Sequence, residues 1–280
     1  MLEYQGNDLE RVKQVARGVL KEFIRICDKY ELDYFVHWGT ALGAVRHQGF
    51  IPWDDDIDVG MLREDYDRFL EVAPKEIGDR YVLSSAFLQG NCFGMYTMMS
   101  AAGTLHVTEQ ESLWGYQHGI RMDIFPFDAV SRDPGKRRRQ ILGVRFFNML
   151  YTVKNLPRPY LPGSSWKVRF LRGLCLVGHV LLTPVPVTIF LEGARRWALK
   201  YQGEKGLYTL LYDLDAERWK LTWDDIYPLG EGTFEGLKVK MLHHTHEALC
   251  NAYGDYMQLP PKEERVNHYS GRLKFHEENH

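Results

Sequence analysis

Four aspartates fall within five residues of the stretch IPWDDDIDVGM, and the last two alternate with apolar side chains as Asp56, Ile57, Asp58 and Val59. Carboxylates this crowded repel one another and lose hydration when partly buried, so the cluster either sits in solvent or is neutralised by a cation. The alternation constrains the backbone. A strand with a two-residue period sends Ile57 and Val59 to one face and Asp56 and Asp58 to the other. Such a chain needs a sheet with one face packed and the other open to a cleft. A carboxylate pair there suits a hard cation, Mg²⁺ or Mn²⁺, whose remaining positions can be completed by phosphate oxygens of a substrate.

A second metal or a base would need a third acid, and Asp123 supplies one. It stands between Met122 and Ile124 in RMDIFPFD (121–128), the order of a core strand whose polar residue emerges at a cleft. Seventeen residues before Asp56, Gly39-Thr40 follows the strand-like DYFVHW (33–38) and opens a helical stretch, GTALGAVRH. A glycine there lets backbone N–H groups approach a phosphate, a threonine hydroxyl can add a bond, and a helix N-terminus favours an anion. Arg46 and His47 close that stretch. The guanidinium there either braces phosphate oxygens as charge builds or pairs with Asp54 or Asp55. Asp54 and Asp55 read equally as turn or cap residues and as support behind a metal. Trp53 either anchors the loop in the core or faces a ligand.

At 280 residues, 45% hydrophobic and 26% charged, the chain can bury a sizeable core. Cys27, Cys92, Cys175 and Cys250 are scattered, with no CxxC pair and no Cys/His spacing that closes a zinc site. That predicts reduced thiols in a cytoplasmic protein. The first residues, MLEYQGNDLERVKQ, lack the apolar run and cleavage site of a signal peptide, so export by that route is not expected. His243, His244 and His246 have no partner at ligand spacing, and Mg²⁺ chemistry does not favour imidazole.

Residues 8–30 place Leu9, Val12, Val15, Ala16, Val19, Leu20, Phe23, Ile26 and Cys27 on a near-helical period after Asn7 or Asp8, predicting an amphipathic helix. A polar-faced helix is expected over 63–73, stopping at Pro74. Between 80 and 125 the runs RYVLSSA, GMYTMMSA, TLHVTE and GIRMDIF read as strands of an antiparallel or mixed sheet. The fold class is therefore mixed α/β. Beyond residue 130 the character changes. From Pro134 to Leu191 there are ten basic residues and no acid, so all 37 acids of the chain lie elsewhere. Such a block suits a polyanionic partner, whether anionic lipid, a phosphate-rich acceptor or nucleic acid; the bland alternative is a solvated helix face. The run GLCLVGHVLLTPVPVTIFL (173–191) carries no formal charge over 19 residues, a length that fits a membrane span. Pro184 and Pro186 inside it, His179 near its middle and arginines beyond both ends favour a buried core helix or a segment on the membrane face.

Strand, Gly-Thr turn, helix, Asp-x-Asp strand and a later lone-Asp strand follow the layout of the nucleotidyltransferase superfamily that includes polymerase β. The fuller wording GTALGAVRHQGFIPWDDDIDVGM (39–61) closely resembles the defining segment of the LicD family, phosphocholine transferases that decorate bacterial cell-surface polymers. RMDIFPFD (121–128), FEGLKVKM (234–241) and NAYGDYMQLPPKEER (251–265) fit the same resemblance, which covers roughly residues 30–130 and 230–268. Residues 131–225 match nothing.

The resemblance implies a polymerase β-like core over 1–130 and a segment, 226–280, that completes core and site, while the change of character beyond residue 130 reads as a basic and apolar helical insertion over 131–225. It implies metal-assisted transfer in which an acceptor hydroxyl attacks the distal phosphorus of a CDP-alcohol, CDP-choline above all, and CMP leaves. Asp56 and Asp58 would hold the cation, Asp123 would be third ligand or base, and Gly39 and Thr40 would cradle phosphate. Tyr253-Gly254-Asp255-Tyr256 matches the family's tail; Tyr253 and Tyr256 either hold a base or a quaternary ammonium by cation–π attraction, or pack a helix end on the core. Trp38, Trp114 and Tyr116 are weaker members of such a cage. The fukutin-related branch also has a cysteine-built zinc element, which the scattered cysteines argue against. The acceptor would be a glycan or glycolipid, such as a teichoic acid, lipopolysaccharide or capsule precursor, and the location cytoplasmic with contact to the inner membrane face through 136–172. Nucleic acid is not expected as a partner. One rival is transfer of ribitol phosphate or a nucleotidyl group on the same fold. The other is a non-catalytic module that binds an anionic polymer.

Overall fold

The computed structural model describes residues 4–89, 92, 94–107, 111, 116–156, 165–213, 215–265, 267, 269 and 272–276. In chain order these form α1 (Asp8–Lys29), β1 (Phe35–Val36), α2 (Trp38–His47), β2 (Asp58–Leu62), α3 (Arg63–Glu76), β3 (Tyr81–Ser85), α4 (Ala86–Gln89), β4 (Thr97–Ala101), β5 (Leu105–Val107) and β6 (Arg121–Ala129). They continue with α5 (Pro134–Asn155), α6 (Trp166–Leu182), α7 (Val187–Ala198), β7 (Leu207–Thr209), β8 (Leu221–Thr222), α8 (Trp223–Ile226), β9 (Gly230–Phe234), β10 (Leu237–Met241), α9 (Thr245–Tyr253) and β11 (Arg272–Lys274).

The central sheet is mixed, as the alternating runs predict. Its strands run in the order β1-β2-β6-β4-β3, with β7 paired to the far end of β6 and β8 to β7. β2 and β6 are parallel, and the other described pairings are antiparallel. The two-residue period then separates the faces. Ile57, Val59 and Met61 with Met122 and Ile124 are essentially inaccessible and join one core with the α1 stripe Val12, Ala16, Val19, Leu20, Phe23, Ile26 and Cys27. Tyr66 and Phe69 of α3 and Phe234, Val239 and Met241 of the β9–β10 hairpin belong to the same core. The opposite face carries Asp58, Arg121, Asp123 and Phe125. Beside them Phe35 and Phe127 meet over Gly60, where a Cβ would come within 2.4 Å of the Phe35 ring.

Three local departures from the sequence reading have physical reasons. The strand expected over 33–38 is two residues long, because His37 turns out of it in extended conformation as the N-cap and α2 begins at Trp38, with φ of 44°. Gly39 and Thr40 therefore lie in the first turn of the helix and not before it. Helix α3 runs through Pro74 to Glu76. Its last turn is pinned from α1, since Lys29 Nζ and Tyr30 Oη each donate to Glu76 Oε1 at 2.7 Å and Arg25 Nη1 to Oε2 at 3.3 Å.

The third departure is the apolar run 173–191, which is not one helix. Residues 183–186 break it, and α6 and α7 are bent by 106° to each other. Among the described residues no single helix is long and apolar enough to cross a membrane. Nor is the run a core helix throughout. α7 buries Phe190, Leu191, Ala194 and Ala198, whereas α6 buries none of its residues. α5 and α7 interlock through glycines: a Cβ on Gly143 would stand 2.2 Å from the Trp197 ring, and one on Gly193 2.3 Å from Phe147. Arg195 of α7 grips Asp67 of α3 with two bonds of 3.0 and 2.6 Å, next to the fully buried pair of Arg63 with Asp128 at 2.7 and 3.0 Å. From the segment expected as an insertion, β7 and β8 also extend the central sheet.

Candidate active site

The parallel pairing of β2 with β6 makes Asp58 and Asp123 direct neighbours across the ladder. Paired residues of adjacent strands share a face and strands lie about 4.8 Å apart, so the two carboxylates project together. Backbone bonds fix both ends: His37 N–H donates to Asp58 C=O at 3.0 Å and Asp123 N–H to Ile57 C=O at 2.8 Å. Thr40 completes the frame. Its buried hydroxyl accepts the Asp58 N–H at 2.8 Å and so ties the first turn of α2 to the start of β2.

The other aspartates of the cluster take separate places. β2 begins at Asp58, so Asp56 precedes the ladder instead of alternating within it, although its charge still reaches Asp123. Asp54 lies against the first turn of α2, where a Cβ on Gly39 would stand 2.8 Å from Asp54 Oδ2. A helix N-terminus attracts an anion, and here it has a carboxylate beside the expected phosphate cradle. Asp55 is buried; Tyr4 O–H donates to its Oδ2, and Tyr4 Oη is 2.8 Å from His106 Nε2. Asp55 thus anchors the loop to the N-terminal segment and to β5.

Asp123 has two neighbours that the sequence reading missed. Arg121 Nε donates to Asp123 Oδ1 at 3.1 Å, and Arg121 Nη2 to Glu111 Oε1 at 2.7 Å, with Glu111 buried. Burial pushes the Asp123 carboxyl up to about 6; Arg121 opposes that shift, and the charges of Asp56 and Glu111 add to it. Burial works against the Arg121 charge, but Asp123 and Glu111 outweigh it and hold the guanidinium protonated. Arg121 was legible in principle, since it stands two residues before Asp123 on the same strand face. Glu111 had no such signal.

Four predicted substrate residues meet around one cavity of about 520 Å³: Arg46, Trp53, Tyr253 and Tyr256, together with Asp255, Pro260 and Glu264. Their roles differ. Arg46 Nη1 donates to the carbonyls of Tyr256 at 2.6 Å and Gln258 at 3.4 Å, and its Nε to His47 Nε2 at 2.9 Å, so it fastens the C-terminal loop. Trp53 packs on the main core, as its anchoring role requires, and carries the Arg265 guanidinium 4.6 Å from its ring centre. Tyr256 is buried, with its hydroxyl 2.9 Å from His246 Nδ1. Tyr253 is 44% exposed at the cavity edge, yet partial desolvation first, then the charges of Asp58, Asp54 and Asp56, push its phenol above the usual range. Trp38 stands apart in an aromatic wall, with ring centres 4.7 Å from His37, 4.9 Å from Phe125 and 5.3 Å from Trp219. Tyr96 extends that wall by stacking on Phe125. Tyr116 bonds Cys92 C=O instead, and Trp114 lies outside the described residues.

A family model described as "LicD/FKTN/FKRP, nucleotidyltransferase domain" matches residues 31–138, which include α2, β2 and β6. Lipopolysaccharide cholinephosphotransferase LicD of Haemophilus influenzae is 30% identical over 269 residues, covering 93% of this chain and 96% of that protein. The chain belongs to the LicD family. Human ribitol 5-phosphate transferase FKRP is 28% identical over 112 residues, 39% of this chain and 21% of FKRP. An uncharacterised Rickettsia typhi protein is 42% identical over 64 residues, 22% of this chain.

In this LicD-family chain the acid face fits a divalent cation by its chemistry. Asp58 and Asp123 offer hard oxygen donors on adjacent strands, and the crowding of negative charge around Asp123 is what a cation relieves. Among the described residues no three His, Cys, Asp or Glu side chains are arranged to hold a metal. A cation held by two carboxylates would take its other ligands from substrate phosphate and water, the usual Mg²⁺ arrangement. The histidines go elsewhere, His244 Nδ1 lying 3.2 Å from Asp225 Oδ1. All four cysteines are free thiols.

Proposed function

We propose that this LicD-family protein transfers phosphocholine from CDP-choline to a hydroxyl of a cell-surface glycan or glycolipid precursor, releasing CMP. The observation that carries the reading is the Asp58–Asp123 pair, in a chain similar to lipopolysaccharide cholinephosphotransferase over 96% of that protein's length. The acceptor oxygen attacks the distal phosphorus, the bond from that phosphorus to the CMP oxygen breaks, and the hydroxyl proton passes to Asp123. A carboxyl raised to about 6 is ionised at neutral pH yet basic enough to accept a proton. Arg121 keeps it charged and aimed. A bound Mg²⁺ or Mn²⁺, held by Asp58 and Asp56 so that Asp123 is left to take the proton, would neutralise the diphosphate as charge builds on the leaving CMP. Gly39 and the first turn of α2 would face phosphate once Asp54 yields to it, while Thr40 sets the position of Asp58. The cavity bordered by Trp53, Tyr253, Asp255 and Glu264 suits a quaternary ammonium, which aromatic faces and carboxylates both attract. Free thiols accord with a cytoplasmic enzyme.

The test is to incubate the purified protein with Mg²⁺, a glycan acceptor and either CDP-choline or CDP-ribitol, and to measure CMP. Release with CDP-choline and transfer of label to the acceptor is the expected result, abolished by a chelator. Release with CDP-ribitol alone would move the assignment to the chemistry named for FKRP. Pyrophosphate release from a nucleoside triphosphate would indicate nucleotidyl transfer, and polymer binding without turnover of any CDP-alcohol a non-catalytic module.

A further inference from the structure

Helix α6 has no place in a water-facing surface. Trp166, Phe170, Leu174 and Leu181 are 73, 70, 57 and 69% exposed, and Leu171, Leu176, Val177 and Val180 are exposed as well. Only a narrow stripe touches α5, where His179 Nδ1 lies 3.2 Å from Val153 C=O and Lys154 Nζ bonds the carbonyls of Leu182 and Thr183. α5 continues the apolar surface with Leu142, Phe146 and Met149. A helix apolar on nearly every side belongs in a protein core or in lipid, and no described part of this chain covers it.

We infer that α5 and α6 form a seat for an anionic lipid bilayer, with α6 lying in the headgroup layer and not across it. Charge complementarity selects this occupant. Exposed cations accompany the apolar side chains on both helices: Arg138 and Arg139 stand one turn before Leu142 on α5, Lys167 and Arg169 lie between Trp166 and Phe170 on α6, and residues 134–191 hold no acid. Arg137 is the exception within the block, since it turns inward to Glu217 at 3.0 Å. A second copy on this face would set cations against cations, whereas anionic headgroups neutralise them while apolar side chains enter the acyl boundary. Length argues against a straight span by α6 alone. The 17 residues of α6 reach about 25 Å at helical rise, short of a hydrocarbon layer of about 30 Å, and the 106° bend to α7 returns the chain to the protein. The seat is joined to the cleft wall, because Tyr151 of α5 exchanges two hydrogen bonds with the backbone of Cys92, at 2.7 and 2.9 Å, shortly before Tyr96. Lipid binding stands independently of the transfer reading.

Cosedimentation of the full chain with phosphatidylglycerol-containing and pure phosphatidylcholine vesicles tests the seat without substrate. Binding to the anionic vesicles, weakened by salt, is expected, with affinity for neutral vesicles lower by about tenfold or more. The Phe170→Ser/Leu174→Ser variant should lose about tenfold in vesicle affinity at unchanged Tm, since neither side chain is buried. Arg138→Gln/Arg139→Gln/Arg169→Gln should mimic high salt. Unchanged binding by the serine variant would overturn the inference. So would a dimer in sedimentation velocity that the serine variant dissolves while vesicles capture nothing, which would assign the face to a second copy.

Discussion

Arg121 holds Asp123 through a 3.1 Å bond while its other edge is taken by Glu111 at 2.7 Å, so a cation stands between two acids behind the Asp58–Asp123 pair. The arrangement sets the protonation of Asp123. Its carboxyl, raised to about 6, is protonated below that pH and carboxylate above it. CMP release per unit substrate should therefore fall on the acid side with a midpoint near pH 6. Arg121→Gln removes the group that opposes the rise, so its midpoint should move to higher pH. A pH profile of kcat/KM for both proteins decides the matter, and an unmoved midpoint would reject the base assignment.

Asp58→Asn should lower CMP release by several orders of magnitude, because it removes one of two charges placed to meet a diphosphate. Asp56→Asn and Asp123→Asn should act in the same direction. The shape of the side chain is kept, so circular dichroism and Tm should match the parent. Near-parental turnover by purified Asp58→Asn would make the acid pair structural.

Thr40 separates a framing role from a phosphate-binding one. Thr40→Val strands the buried Asp58 N–H, which costs about 1–3 kcal/mol in stability and displaces Asp58. Thr40→Ser keeps the hydroxyl and should restore both stability and turnover. Urea denaturation alongside steady-state assays checks this. A valine variant of parental stability that shows only a raised KM would reassign Thr40 to the substrate.

Asp128→Ala should destabilise the protein by about 3–5 kcal/mol, since it leaves the Arg63 guanidinium charged and without its main partner in the core. Arg63→Met/Asp128→Leu, which removes both charges, should recover much of that loss in urea denaturation. Additive losses in the double variant would argue against the coupling.

Glu76 makes the end of α3 sensitive to acid. Hydrogen bonds from Lys29 and then Tyr30 hold its carboxyl down to about 2, below its ordinary 4.5. A depressed acid stabilises the fold above its unfolded value and loses that contribution as pH falls from about 4.5 towards 2. Denaturation midpoints of the parent and Glu76→Gln should differ at pH 7 and converge near pH 2. A constant difference would show that Glu76 acts only by packing.

Much of this molecule is written in local periodicity. The stripe on α1, the alternation around Asp58 and the apolar–acid–apolar order at Asp123 each follow from side-chain spacing along a single element, so the sequence alone determined a mixed α/β fold and nominated its acids. It also brought Arg46, Trp53, Tyr253 and Tyr256 forward as substrate residues, which the fold gathers around one cavity. What those residues do there was not legible. Arg46 turns to the backbone of residues 256 and 258, a choice set by a loop far away in the chain.

Only tertiary structure decided the pairings. Register places Asp58 opposite Asp123, and nothing within either strand specifies which residue of a parallel neighbour lies beside it. The same holds for Glu111 on Arg121 and Thr40 on Asp58, contacts whose two halves belong to different elements. Pro74 ended a helix on propensity, but Arg25 and Lys29 of α1 and Tyr30 just beyond it hold Glu76 in place, because tertiary bonds can outweigh a missing backbone donor. The run 173–191 shows the limit most plainly. Its apolar sequence specifies that it must leave water, whereas the fold decides where: α7 against α5 and the core, and α6 outward, since hydrophobicity drives burial without naming the surface that provides it.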